Sequence, residues 1–270
     1  MKQNLNGVSE TLLVPLWARA VEAKHPDPII KDVKAAEIMQ EIEYDFAKLD
    51  GEWPTQISVV VRTELLDRAT EAFINRHPDA VIINIGCGLD TRFSRLDNGK
   101  VQWYDLDLPE VINTRQHFFD ETDRYRMIPK SIFDYLWIDE VDRKKSVLII
   151  AEGVLMYFTE KDVKALMDKL ITSFPAAEML LETTSPSLVK QSQKQDLIKN
   201  QYQIDAALHW GIKRGGKWIE KLNEGIEFIE EWHYFDYHRD RWNKIRWMAL
   251  IPHFKNKFGN RIVHIRFNSA

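Results

Sequence analysis

Cysteine is nearly missing from this chain: Cys87 stands alone among 270 residues. A disulfide within the chain is therefore excluded, and so is a zinc site built on clustered thiolates. Long apolar runs are missing too. The longest candidate, Val147 to Phe158, is interrupted by Glu152 and falls short of the ~18 apolar residues of a membrane span. Near the start, Glu10 and Pro15 break a short apolar segment that runs into Arg19 and Glu22, a pattern unlike a secretory leader. There is no basic excess either. Lys and Arg number 37 against 41 Asp and Glu, a formal charge of −4, whereas a nucleic-acid binder usually carries a basic stripe. No repeat, low-complexity tract or Pro/Gly/Ser-rich linker divides the chain. What remains, 44% apolar and 29% charged, reads as a cytoplasmic, soluble protein that handles a small molecule, with no membrane or nucleic-acid partner.

Short apolar runs organise the middle of the sequence. Val81 to Ile85, Val101 to Asp107, Tyr125 to Ser131, Val147 to Gly153 and Glu178 to Thr184 are the strand candidates. Runs of this length, rich in Val and Ile, suit strands buried on both faces. Helical patterns separate most of them, at Leu89 to Leu96, Pro109 to Phe119 and Glu160 to Phe174. Strands alternating with helices imply right-handed crossovers and a parallel, doubly wound α/β sheet. Residues 8–78 are helical in pattern and suggest an N-terminal cap. Residues 186–225 are polar and irregular and read as an insertion over the site. Two late strands, Ile226 to Phe235 and Arg261 to Asn268, flank a helical Trp242 to Phe258 and bring the sheet to about seven strands. The expectation is one domain over residues 1–270.

A glycine loop follows the first strand: Ile85-Gly86-Cys87-Gly88-Leu89-Asp90-Thr91. Glycines at 86 and 88 permit a tight turn and a close approach of backbone to a ligand. The second strand ends in Asp105 and Asp107, the latter 21 residues after Gly86. At that spacing an acid can accept bonds from ribose hydroxyls. The plain alternative is a tight βα turn followed by solvated strand-end charges. Dinucleotide sites usually want a third glycine where Thr91 stands. S-adenosylmethionine has a ribose but no phosphate, so the loop favours methyl transfer over a nicotinamide-dependent oxidoreductase.

Four segments then carry a family likeness: Ser9 to Leu13 with Pro15 to Ala20; Val61-Arg62-Thr63; Asn84 to Arg92 (NIGCGLDTR); and Ala151 to Phe158 (AEGVLMYF). Asp107-Leu108-Pro109 adds to them. Together they resemble the leucine carboxyl methyltransferase family, and within it the bacterial polyketide-type O-methyltransferases. The resemblance implies a class I, Rossmann-like methyltransferase fold that uses S-adenosylmethionine. By position, Arg62 matches the arginine that grips the methionyl carboxylate, a task suited to a bidentate guanidinium. Gly86, Cys87 and Gly88 match the cofactor loop, Asp107 the ribose acid, and Glu152 a glutamate near the cofactor's amino group. Ser131 and Ile132 fall where relatives bind adenine, although those relatives have an aspartate where Ser131 aligns.

The acceptor side is less marked. Tyr157 and Phe158 are candidate pocket walls, and His209, Trp210, Lys213 and Arg214 lie in the insertion, where they would face a substrate. Each is equally readable as core or solvated surface. His209 and His233 are the candidate general bases, and no metal-ligand spacing stands out. A carboxylate acceptor needs no base, while a phenol with a pKa near 10 benefits from one. The expected function is O-methyl transfer to a small carboxylate or polyketide-like acceptor, with a cofactor-binding protein of degenerate acceptor site as a further alternative.

Overall fold

The alternation of apolar runs and helical patterns assembles as strands and crossovers. A computed structural model of the chain describes residues 10–194, 207–213, 215–248 and 250–268. Three helices come first, α1 (Glu10–Glu22), α2 (Val33–Glu41) and α3 (Trp53–Arg76). The strands are β1 (Val81–Ile85), β2 (Gln102–Asp107), β3 (Tyr125–Pro129), β4 (Val147–Ala151), β5 (Glu178–Thr183), β6 (Ile226–His233) and β7 (Arg261–Phe267). Between them lie α4 (Arg92–Leu96), α5 (Pro109–Arg115), α6 (Glu160–Ser173), α7 (Pro186–Lys194), α8 (Ile245–Met248) and α9 (Pro252–Phe258).

The strands form one sheet of order β3-β2-β1-β4-β5-β7-β6. β1 to β5 run parallel, and β7 is antiparallel to both of its neighbours. Alternate side chains serve opposite layers, as strand geometry requires. Along β1, Ile82 joins the core under α1 to α3. Val81, Ile83 and Ile85 join the core under α6 with Val163, Leu166, Met167 and Leu170. That explains why β1 is apolar at nearly every position: both its faces are covered. A capping box starts α6, with Thr159 Oγ1 accepting from Asp162 N–H and the Asp162 carboxylate accepting from Thr159 N–H.

The chain order reverses between β1 and β4, so the crevice beyond their carboxyl ends is the natural ligand site of such a sheet. Two local expectations change. The helix expected from Leu89 starts at Arg92, because residues 87–90 are spent in a turn closed by Asp90 N–H to Cys87 C=O at 2.9 Å. The helix expected over Trp242 to Phe258 splits into α8 and α9. Pro252 cannot donate to a preceding turn and holds Ile251 extended, at φ −85° and ψ 113°.

Residues 186–225 also differ from an overlying insertion. Where described, much of the segment is packed against the sheet. Ile212 N–H bonds Thr184 C=O at 2.9 Å, and Trp210, Ile212, Ile219 and Leu222 enter the core on the α6 side. Arg214 lies outside the described residues.

Candidate active site

The loop after β1 is shaped by two glycines in the left-handed region. Gly86 has φ +64° and Gly88 φ +49°. A Cβ on Gly86 would stand 2.6 Å from Val154 Cγ2, and one on Gly88 would stand 3.0 Å from Leu12 Cδ2. Backbone conformation and space both call for glycine here. The loop is then tied to β2. Gly86 N–H donates to Leu106 C=O at 2.8 Å, and Gly88 N–H donates to Asp107 Oδ2 at 2.8 Å. Asp107 Oδ1 takes Leu108 N–H at 2.8 Å. Burial raises the Asp107 pKa, and the Gly88 and Leu108 N–H groups pull against it.

Asp105 has a different task. It is buried and accepts from Arg115, from Tyr125 Oη at 2.6 Å, from Trp103 Nε1 at 3.0 Å and from Asn84 Nδ2 at 3.1 Å. Arg115 in turn donates to Gly88 C=O and Asp90 C=O, each at 2.8 Å. Asp105 thus supports the loop, and Asp107 faces the crevice.

Across the crevice, Glu152 follows β4. Its Oε1 takes Arg62 Nε at 2.7 Å and its Oε2 takes Arg92 Nη2 at 2.6 Å. Burial raises its pKa, but Arg62 and Arg92 together hold it below the usual carboxylate range. Arg62 Nη1 donates to Glu182 Oε2 at 3.0 Å, and Tyr234 Oη donates to Glu182 Oε1 at 2.8 Å. Glu182 stays raised because burial outweighs the pull of Arg62. Among the described residues, Arg62 Nη2 has no hydrogen-bond partner. Arg92 also grips Asp67 and Asp90, and Arg95 joins Asp67 to Asp32. Arg19, from α1, bonds Asp32 and donates to Leu89 C=O at 2.8 Å. Buried charges persist only when paired in this way.

Two adjoining cavities open between these groups, of about 490 and 140 Å³. Both are bordered by Thr11, Leu12, Gly86, Gly153 and Tyr157. The smaller holds Arg62, Cys87, Gly88 and Glu152 at its wall. The larger is lined by Asp107, Ser131, Ile132 and Phe158, together with Leu108, Val111 and Val154. The structure therefore brings Arg62, Gly86, Cys87, Gly88, Asp107, Ser131, Ile132, Glu152 and Tyr157 to one crevice. Burial pushes the Cys87 thiol up, so it is a neutral wall atom.

His209 and Trp210 are not at the cavities, which corrects their expected place facing a substrate. His209 is exposed, with its N–H on Met156 C=O at 2.8 Å. Trp210 is swallowed by the core because its apolar ring fits between α6 and the sheet. Lys213 is exposed and borders neither cavity. His233 is buried, with burial and the cations Arg261 and Lys255 lowering its pKa to about 3. Among the described residues no histidine lines the crevice. Sequence reasoning missed Glu182, Tyr234, Asp90 and Arg92. One signal for Glu182 was available, a lone carboxylate at the end of the apolar run Met179-Leu180-Leu181.

The described residues contain no cluster of side chains able to hold a metal ion. They do offer a frame for an amino acid joined to a nucleoside. A free guanidinium nitrogen and a carboxylate stand at one end, and a strand-end aspartate stands at the other.

Known proteins share much of this sequence and fold. The leucine carboxyl methyltransferase family model matches residues 13–171, more than half of the chain. The tetracenomycin polyketide synthesis O-methyltransferase TcmP of Streptomyces glaucescens is 33% identical over 233 residues, covering 86% of this chain and 85% of its own. The S-adenosyl-L-methionine-dependent methyltransferase dpfgK of Gibberella zeae is 32% identical over 191 residues, 64% and 63% of the two chains. A DUF574 family protein from Streptomyces avermitilis superposes with a TM-score of 0.60 at 13% identity, over 94% of this chain and 97% of that one. Mycolic acid cyclopropane synthase CmaA1, solved with SAH, gives 0.54 at 12% identity over 98% and 99%; at such identities the likeness is one of fold. The chain thus belongs to the leucine carboxyl methyltransferase family, with the class I methyltransferase fold and S-adenosylmethionine as its cofactor.

Proposed function

We propose that the protein transfers a methyl group to an oxygen of a small acceptor that reaches the crevice already ionised. The observation that carries this reading is the pairing of Arg62 with Glu152 opposite Asp107 across a single crevice. Arg62, through its free Nη2, would bind the methionyl carboxylate, and Glu152 would take the amino group. Gly86, Cys87 and Gly88 let the backbone run close to the chain between them. Asp107 accepts the ribose hydroxyls, while Ser131 and Ile132 border the base.

When bound, the cofactor supplies an electrophilic methyl on a sulfonium. The protein's work is then to hold the nucleophile in line and keep water out, which is where most of the rate comes from in such a transfer. Tyr157 and Phe158 wall the acceptor side. Burial, with Glu182 nearby, raises the Tyr157 pKa, so the phenol stays protonated and takes no proton from a substrate. With no histidine at the crevice among the described residues, an acceptor of low pKa is favoured: a carboxylate, or an acidic hydroxyl of polyketide type. The family's description names a carboxyl acceptor, and TcmP is described as an O-methyltransferase of polyketide synthesis; both support an oxygen nucleophile. Residues 1–270 serve as one domain, with the N-terminal helices as its cap.

The test uses methyl-labelled cofactor with a panel of carboxylic acids and phenols, followed by mild alkali. A methyl ester releases volatile methanol and an aryl ether does not; either product fits an oxygen acceptor. Label fixed on nitrogen or carbon, identified by mass spectrometry, would sink the reading.

A further inference from the structure

Eight large apolar side chains are markedly exposed among the described residues, and five of them fall between 247 and 258. They are Trp247 (65% exposed), Met248, Leu250, Ile251 and Phe258. Ile245 and Phe254 turn the other way and pack on the core, so α8 and α9 are amphipathic about the break at Pro252. The same stretch holds a charge opposite to that of the molecule. Residues 239–258 carry six Lys and Arg against one Asp, a balance of +5 within a chain of −4.

Some of that charge is used internally. Lys255 pairs with Asp236, and Arg241 bonds Glu22 at 2.9 Å. Lys244, Arg246 and Lys257 have no carboxylate partner among the described residues. Two of them sit over the outward rings, Arg246 over Trp247 at 4.9 Å and Lys257 over Phe258 at 5.1 Å. The segment is tied to the carboxyl end of the sheet, since Ser185 Oγ, just past β5, donates to Lys257 C=O at 2.5 Å.

We infer that α8, α9 and the described residues 250–251 before Pro252 dock the protein on an anionic lipid surface. Apolar side chains ringed by unpaired cations, with Trp and Phe foremost, are the pattern of a segment lying in the bilayer interface. Two of the three cations without a carboxylate are lysines, which protein interfaces disfavour, and cationic chains laid over outward rings suit a headgroup layer. No helix among the described residues is long and apolar enough to cross a membrane, so this is attachment at the surface.

The full chain is sedimented with vesicles of phosphatidylcholine alone and of an equal mixture with phosphatidylglycerol. Binding is expected to the mixture, to fall with added salt, and to be weak to phosphatidylcholine alone. Two variants separate the contributions. The triple change Lys244→Glu, Arg246→Glu and Lys257→Glu should weaken binding at least a hundredfold, at about 1 kcal/mol for each cation removed. Trp247→Ser with Ile251→Ser should weaken it at unchanged charge. All the substituted residues are exposed, and circular dichroism confirms folding. Failure of the wild type to bind the mixed vesicles overturns the inference. So does loss with the charge variant alone, which means an acidic macromolecule. A wild-type dimer that the serine variant converts to a monomer also overturns it, because the patch then covers itself.

Discussion

Gly86→Ala probes the crevice through its backbone. At φ +64° an alanine costs about 1–2 kcal/mol in the left-handed region. Its Cβ would also fall 2.6 Å from Val154 Cγ2 and 2.9 Å from Val154 Cβ. Neither atom is the far end of a flexible chain, so the loop or residue 154 must move, at roughly 1–3 kcal/mol for an overpacked site. The expected loss is therefore about 2–5 kcal/mol. Gly99 supplies the control. It has φ +78°, and a Cβ there would meet nothing within 4 Å, so Gly99→Ala should lose only the backbone share, about 1–2 kcal/mol. Urea unfolding of both variants isolates the steric contribution by difference. Adding Val154→Gly to Gly86→Ala should recover it as a coupling energy in a double-mutant cycle. Calorimetric titration with S-adenosylhomocysteine should show Gly86→Ala weakened and Gly99→Ala unchanged. Equal losses for the two alanines would refute the close approach.

Three other outcomes are expected. Arg62→Lys keeps the charge between Glu152 and Glu182 but loses the fork, so cofactor affinity should drop by about 1.5–3 kcal/mol, read by titration; wild-type affinity would remove Arg62 from the site. S-adenosylhomocysteine should raise the melting temperature with concentration while NAD should not, and a shift with NAD alone would overturn the cofactor assignment. His233 is held near pKa 3 against an ordinary 6.5, so below pH 6.5 the unfolded state takes a proton that the folded state refuses. Stability should fall by about 2 kcal/mol from neutrality to pH 5, and His233→Phe should flatten that slope; matching slopes would count against it.

The fold was legible where burial is simple. β1 and β4 announce themselves because both faces are covered and nearly every position is apolar. The glycine loop and Asp107 are legible because their spacing is local, strand to turn to strand. Arg62 is not legible by itself, flanked as it is by ordinary helix positions; only the family likeness marked it. Glu182 and Arg92 were out of reach for a different reason. Glu182 meets Arg62 from α3 and Tyr234 from beyond β6, and Arg92 meets Asp67 from α3 and Glu152 past β4; no local pattern states pairings between such distant elements. Trp210 misled because an irregular segment has no period from which to read its buried side.

The link from Arg62 to Glu182 spans 120 residues, and the hydroxyl on Glu182 comes from Tyr234, a further 52 along the chain. The proposed anchor for the cofactor thus closes fully only when the first long helix, the central strands and the terminal pair of strands have all found one another. Contacts of such sequence separation carry a large loop-closure entropy and belong late in folding. The anchor should therefore open only with the cooperative loss of the sheet, and bound cofactor should slow hydrogen exchange most in those amides that exchange by global unfolding. A nascent chain released before β6 has emerged would have every residue proposed to touch the cofactor and still lack the Tyr234 hydroxyl that holds Glu182.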